Sequence, residues 1–442
     1  MSFSLIICLP SLLQLITWLF CWPNSIVACY LFNMMAESNK KKKQEAESWG
    51  LNILNIPNDV LEHILSFFTS REVVKTCLIS KNWRHQWKYV PTLQICDTVD
   101  NCNKFLCNFL LARHHNPINF CDLQYIDEET KQMHVMNTCI FYVMKMCHVQ
   151  ELKLSLRSNF DFLKLRNQAH TSKHLRILDL HKVHLKSRTA DFSSWPSLED
   201  VVLINCILDA KTIMSESLKR LTAVDCEFDA GDTRTHISTP NLIFLKFDEA
   251  WFRTPLFECM PFLEDAYMRF GNACWDHCQY DKSWPCGNVN CYGCSCNNDN
   301  KEVSLVLEGL SNATHLELIN ELPHLFIFER DLRQCPIFKN LRTLRLNEWF
   351  FIADLHRLIC ILNNSPVLEK LVLLLFKLPE HMDEANKFHS QKEHLRAMEM
   401  LNEVKIKCRK RQAWVKTIIN ILISLGLPPE VIVIEETLEH PL

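Results

Sequence analysis

The sequence predicts an α/β chain: a short helical module, then a long strand-forming repeat, then a strand, helix and strand that close the end. Three observations predict it. Between Pro57 and Pro91, apolar residues recur at three- and four-residue spacing, the period of amphipathic helices. From Val149 to Phe376, a leucine pattern with internal alternation returns at a period of roughly 20 to 28 residues. After Leu401, an alternating run, a long apolar stretch and a β-branched run succeed one another.

Composition narrows the class. With 442 residues, 48% hydrophobic and 22% charged, the chain is long enough for two or three domains or one repeat array and carries a real core. Its formal net charge of -3 supplies no field that would select nucleic acid. Only 7 glycines are present, and neither a P-loop nor a dinucleotide fingerprint occurs. The 22 cysteines are scattered, often alone at apolar positions such as Cys77, Cys206 and Cys226. That usage suits small buried hydrophobes in a reducing compartment rather than a disulfide framework.

Residues 1-50 hold an apolar segment and a polar linker. "LIICLPSLLQLITWLFCW" has no preceding Lys or Arg, and Pro10 and Pro23 leave between them only about a dozen residues, short of the ~20 that span a bilayer. Two readings stand. The segment is an anchor that leaves the rest of the chain cytosolic, or translation starts at Met34 or Met35 and the true amino terminus is polar. The run Lys40 to Lys43 reads as a nuclear-import patch or as a solvated linker, so the expected location is cytoplasm or nucleus, or a membrane-tethered cytosolic domain.

The helical module occupies residues 51-97. Pro57, Asn58 and Asp59 spell a helix start, and Val60, Leu61, Ile64, Leu65 and Phe68 succeed them on one face. Ser70 reads as the cap of a second helix presenting Val73, Val74, Cys77 and Leu78. "SKNWRHQW" opens a third, with Trp83 and Trp87 on one face, and Pro91 stops it. The stretch "IPNDVLEHILSFFTSREVVKTCLISKNWRHQWKYVPTL" resembles an F-box, most like those of plant F-box proteins with leucine-rich repeats. It departs from them at Ile56, Thr69, Asn82 and Gln86. The resemblance implies a three-helix module that docks a Skp-type adaptor and, through it, a cullin-RING ubiquitin ligase. On that reading Ile56, Pro57, Val60, Leu61 and Ile64 form the first contact strip, and Val74, Leu78 and Trp83 supply core or contact area. The other reading of the same periodicity is a helical hairpin packed on its neighbour.

Residues 98-378 carry leucine-rich repeats. Leu175, Leu178, Leu180, Val183 and Leu185 make one copy, and Leu198, Val201, Leu203, Cys206 and Leu208 the next, with cysteine where the pattern allows it. Further copies begin at Leu218, Leu242, Leu263, Leu316, Leu341 and Leu368, and the gap between Ala266 and Leu316 suggests one disguised copy. Stacked copies form a solenoid with one strand per turn. The positions between repeat leucines, Arg176, Asp179, Lys219, Lys246 and Arg345, are where a target protein would touch, and their mixed charge names no chemical class. Residues 379-442, with "LHRLICILNNSPVLEKLVL" before them, resemble the FBD region that closes many plant relatives. "CRKRQ" stands where glycine and acidic residues are common. The resemblance implies an FBD-like cap on the last repeat.

One insertion, residues 271-300, spells metal chemistry. Cys291-x-x-Cys294 has knuckle spacing and Cys274-x-x-His277 is a partner half, with Cys278, Cys286 and Cys296 among them, although the pairs fall on no standard template. A structural zinc and an unbonded surface loop are both open readings, and no cofactor is otherwise expected. No residue set reads as an active site. The chain is therefore expected to be the non-catalytic target receptor of a Skp–cullin–F-box ligase. The alternatives are a scaffold without ubiquitination and a membrane-anchored repeat protein.

Overall fold

The computed structural model describes residues 57–78, 83–113, 116–126, 133–158, 161–165, 172–186, 190–228, 233–271, 273–276, 306–321, 331–332, 335–351, 356–377, 400–409 and 413–436. The chain divides into two compact units, Met1–Ile95 with Leu111–Ile118, and Cys96–Leu110 with Asn119–Leu442.

In the first unit, α1 (Asn58–Leu65) starts on Pro57, whose carbonyl accepts from Leu61 N–H at 2.9 Å. Helix α2 (Ser70–Lys75) is capped at Thr69 rather than at Ser70. Glu72 reaches back and accepts from the Thr69 amide at 3.0 Å and its hydroxyl at 2.7 Å, satisfying an end that would otherwise be bare. Ser70 Oγ accepts instead from Gln94 N–H at the start of β1 (Thr92–Thr98). The expected third helix is only a 3₁₀ turn, Gln86–Lys88, among the described residues. Its amides bond three residues back, Gln86 to Trp83 and Tyr89 to Gln86, a tighter winding that seldom extends. Leu61, Leu65, Val73, Trp83 and Val90 form the core, with Phe68 and Trp87 packed on it. Buried Arg113 closes this unit by donating to the carbonyls of Trp87, Val90 and Pro117.

The second unit is a ladder. After α3 (Val99–Ala112) come β2 (Phe120–Ile126), α4 (Met133–Met146), β3 (Glu151–Arg157), β4 (Leu163–Lys164), β5 (Ile177–His181), β6 (Val183–Lys186), β7 (Asp200–Ile204), β8 (Ile207–Asp209), β9 (Thr212–Met214) and β10 (Arg220–Phe228). The series continues with β11 (His236–Ser238), β12 (Phe244–Trp251), β13 (Leu256–Phe257), β14 (Asp265–Phe270), β15 (His315–Asn320), β16 (Thr343–Asn347), α5 (His356–Asn363), β17 (Lys370–Leu375), β18 (Glu403–Cys408), α6 (Ala413–Ser424) and β19 (Ile432–Glu436). One parallel sheet runs β2-β3-β5-β7-β10-β12-β14-β15-β16-β17-β18-β19, so spatial order is chain order. A second parallel set, β9-β11-β13, lies in the return segments.

Parallel sheets usually bury both faces. Here the strands alternate buried and half-exposed residues, so one face is core and the other is open. Leu152, Leu178, Val201 and Leu221 occupy one register row on the buried face, and Leu154, Leu180, Leu203 and Ala223 the next. The expected disguised copy between Ala266 and Leu316 is not in this sheet: those two residues are register partners, β14 on β15, which leaves no room for a strand between them. The carboxyl-terminal strand, helix and strand are present as expected, and both strands extend the same sheet. Helix α6 ends on Gly426 at φ 105, with Gly426 N–H on the Ile423 carbonyl and Leu427 N–H on that of Leu422, a left-handed stop that suits glycine.

The ladder turns its corners with few glycines. Lys182, Asn205, Asp225 and Glu249 take positive φ, each one residue before the position where the repeat allows Asn or Cys. Such a backbone costs a non-glycine residue about 1 kcal/mol or more. After two of these corners a thiol helps offset that cost. Cys206 Sγ donates to the Leu180 carbonyl at 3.3 Å and Cys226 Sγ to that of Leu203 at 3.4 Å, each reaching back to the preceding turn. Farther along, Asn347 does the same in both directions, donating to the Asn320 carbonyl at 2.7 Å and accepting its amide at 3.2 Å.

A buried ion pair stitches the return segments. Arg234 donates to both Asp276 carboxylate oxygens, at 2.6 and 3.1 Å, and to the Thr254 carbonyl, while Thr254 N–H donates to Asp276 at 2.8 Å. Arg234→Ala should strand the carboxylate and lower stability by about 3–5 kcal/mol, read as an earlier urea midpoint. The same contacts set a pH dependence. Burial pushes the Asp276 carboxyl up, but the Arg234 charge and the hydrogen bonds more than offset it, so it sits below the ordinary carboxylate value. Its stabilisation is whole above ~3.9, the unfolded value, and is lost as pH falls through the lower folded one. Asp276→Asn should therefore flatten the acid limb of a stability-against-pH series.

Candidate functional site

Two surfaces carry the residues that the sequence singles out. On the first unit, Ile56 lies outside the described residues. Pro57 is exposed, and Val60 and Val74 are half-buried. Leu61 and Ile64 of the expected contact strip retain only 2% and 8% exposure, so the unit's own fold holds them, and Trp83, expected as core or contact area, is core at 3%. The reason is geometric: α1 has one apolar stripe, and a module this small needs that stripe to hold its two helices together. Leu78 is the member left open, at 72% exposure. Phe67, at 61%, and Tyr89 join it as large apolar side chains facing solvent, and neither was singled out from the sequence. The adjacent pair Phe67 and Phe68 was the available signal, since neighbours on a helix end point to different sides. Gln86, one of the departures from the F-box pattern, donates to Asn58 Oδ1 at 3.0 Å and ties the 3₁₀ turn to α1.

On the second unit, Asp179, Lys246 and Arg345 do share one row of the open sheet face. That row runs Asp122, Lys153, Asp179, Val202, Thr222, Lys246, and onward through Tyr267, Glu317 and Arg345 to Val372 and Lys405. Arg176 and Lys219 do not belong to it. They sit in the turns entering β5 and β10, where both bond Glu199, at 2.6 and 2.9 Å. There they line an open cleft of about 980 Å³ with Pro261, exposed Phe262, Asn312 and Asn340.

The open face pairs its charges internally. Asp179 lies 2.9 Å from His181 Nε2 and 3.3 Å from Lys153 Nζ. Burial works to raise its carboxyl, but His181 and Lys153 hold it below the ordinary value. Asp122, in the same cleft of about 520 Å³, goes the other way: burial dominates, and its carboxyl is raised. Asp200 is raised likewise, burial outweighing Arg220 at 3.5 Å. Farther along, Arg269 stands among Asp248, Glu249 and Glu321, and Arg345 meets Glu317 at 2.9 Å. Lys246 Nζ lies 5.2 Å from the Tyr267 ring centroid, and burial with Asp248 and Glu317 pushes the Tyr267 phenol up to about 12. Ile319, Val372 and Leu374 form a buried apolar cluster, with Tyr267 and Phe376 partly buried against it.

Of the metal candidates, Cys274 alone is described. It is buried, and its thiol lies 3.7 Å from Asp276 and 3.6 Å from Thr254 Oγ1. Burial, then the Asp276 charge, pushes that thiol well up, against the thiolate that zinc requires. His277, Cys278, Cys286, Cys291, Cys294 and Cys296 lie outside the described residues. Among the described residues, no three His, Cys, Asp or Glu side chains are grouped to hold a metal ion. Nor, among them, is any helix long and apolar enough to cross a membrane.

Residues 53–94 match the family model described as F-box domain. An F-box/LRR-repeat protein of Arabidopsis thaliana is 26% identical over 236 residues, 45% of this chain and 61% of its own length. An FBD-associated F-box protein of the same plant is 25% identical over 262 residues, 51% of this chain and 58% of its own. This chain thus spans less than two thirds of either relative. An F-box/FBD/LRR-repeat protein from the same source is 23% identical over 369 residues, covering 73% of this chain and 76% of itself. The F-box match thus lies at the helical unit, and over 45–73% of its length the chain is similar to plant F-box/LRR-repeat, FBD-associated F-box and F-box/FBD/LRR-repeat proteins.

Proposed function

We propose that this protein is the target-recognition subunit of a Skp–cullin–F-box ubiquitin ligase. The observation that carries the reading is the F-box match at a unit that leaves Leu78, Phe67 and Tyr89 open to water after filling its own core. Three large apolar side chains left open on so small a unit favour a partner that covers them. A Skp-type adaptor is that partner in this proposal, and residues 51-97 are its docking module.

The ladder, residues 98-378, offers the second surface. Its open face carries charges already paired within the chain, so a target gains by shape and by matching that charge pattern more than by bulk charge. Asp179, Lys246 and Arg345 would meet the target there, with Arg176 and Lys219 on the adjoining edge. Residues 379-442 serve as the FBD-like cap, since their strands extend the sheet and leave one edge where the ladder stops. Transfer chemistry belongs to the partners in this reading. The receptor contributes only proximity, holding target lysines at high effective concentration near a charged conjugating enzyme.

Co-purification tests this. The wild-type chain should bring down a Skp-type adaptor and a cullin, and Leu78→Asp should reduce that capture by about 30-fold or more, the effect of losing ~2 kcal/mol from a central contact. Its urea midpoint should stay within ~0.5 kcal/mol of wild type, because an exposed side chain supports no core. Leu61→Ala is the contrast: it should destabilise the unit by about 2–5 kcal/mol. Capture of neither protein by the wild-type chain, alongside a control F-box that captures both, would refute the proposal.

A further inference from the structure

Several of the described cysteines have a structural use or stand apart. Cys206 and Cys226 direct their thiols to backbone carbonyls, Cys274 is enclosed beside Asp276, and Cys96 and Cys259 are exposed. Cys206 with Cys226 and Cys335 with Cys360 also meet through their side chains, and a further pair joins two helices. Cys107 on α3 and Cys139 on α4 lie 32 positions apart in sequence, yet their sulfurs are 3.3 Å apart. That is closer than two thiols approach without a specific contact, and a disulfide near ~2.05 Å requires only about 1.2 Å more. Cys107 is half-buried and Cys139 is buried, so one sulfur can be reached from water while the other is held dry behind it. That is the arrangement of a reactive and a resolving thiol.

We infer that Cys107 and Cys139 form a reversible disulfide when the protein meets hydrogen peroxide. The thiolate of Cys107 attacks one peroxide oxygen; the S–O bond forms, the O–O bond breaks, and the departing hydroxide takes up a proton to become water. The sulfur of Cys139 then attacks the sulfenic sulfur of Cys107. The S–S bond forms, the S–O bond breaks, and the Cys139 proton leaves with the hydroxide as a second water. Two thiols are oxidised by two electrons and one peroxide is reduced. Burial, with the Cys107 contact second, pushes the Cys139 thiol up to about 12, which keeps it from reacting first and slows the second step. Contact offsets that slowness, because a held neighbour reacts as if at very high concentration.

The consequence is local. The bond would join α3 to α4, the helices that flank β2 in sequence, and so brace the strand that bears Asp122 of the 520 Å³ cleft. The test uses the full chain, isolated reduced and exposed to hydrogen peroxide at a small molar excess. Remaining thiols are then alkylated and the protein is digested without reductant. A peptide pair linking Cys107 to Cys139 should dominate every other cysteine pairing and disappear on treatment with dithiothreitol. Oxidised wild type should also unfold at a higher temperature than reduced wild type, as closing a loop predicts. Cys107→Ser should leave Cys139 alkylatable after the same treatment. Recovery of wild-type Cys107 unreacted, over-oxidised to sulfinic acid, or joined to another cysteine would overturn the inference, and none of those readouts depends on a variant that folds.

Discussion

The register lock between neighbouring parallel strands is the constraint on which the rest of this molecule depends. Each strand of the ladder presents apolar residues two apart, and none is wide enough to bury them alone. Pairing Leu152 with Leu178, Leu178 with Val201, and Val201 with Leu221 makes one continuous buried row from short, separately unstable pieces. A slip of one residue anywhere would turn that row to solvent and bring Lys153, Asp179 and Thr222 inward. The penalty for burying such groups unpaired is large, so the register is set by exclusion as much as by attraction.

Once the register is fixed, the corners become the difficult places. At several corners the turn after a strand leaves carbonyls facing inward and takes left-handed backbone. With 7 glycines in the whole chain, the corner residues are Lys182, Asn205, Asp225 and Glu249 instead. The thiols of Cys206 and Cys226 and the amide of Asn347 then satisfy the carbonyls left behind. Several of the scattered cysteines are thus explained by geometry: a small, weakly donating side chain fits where a repeat turns and water is excluded. Arg234 and Asp276 solve the same problem with charge, and Arg113 does so in the helical unit, where one guanidinium serves three carbonyls.

The two surfaces differ in what they leave exposed. The helical unit fills its core and still shows Leu78, Phe67 and Tyr89, which is an apolar demand not met by the unit itself. The sheet face instead balances acid against base strand by strand, Asp179 with Lys153, Asp248 with Arg269, Glu317 with Arg345. Such a face is soluble by itself and selective through its pattern, since a wrongly matched partner would leave a half-buried charge unpaired.

Much of this was legible in the residues. The two-residue alternation around Leu178 and Leu180 fixes which side chains are buried in a strand, because side-chain direction in a strand has no other freedom. The spacing of the copies likewise implies a stacked ladder, and the F-box resemblance located the helical unit. What the residues could not carry was anything set by distance in space. Whether Arg176 begins a strand or precedes it depends on hydrogen bonds to Gln150 in the turn before. Whether Leu61 or Phe67 meets water depends on which side of α1 receives Trp83. The spacing between Ala266 and Leu316 suggests a hidden copy, and only the direct pairing of those two shows that no strand stands between β14 and β15. Periodicity along the chain is local physics and can be read from composition and order. Register, burial and the meeting of Cys107 with Cys139 arise from packing between segments far apart in sequence, and only the folded chain decides them.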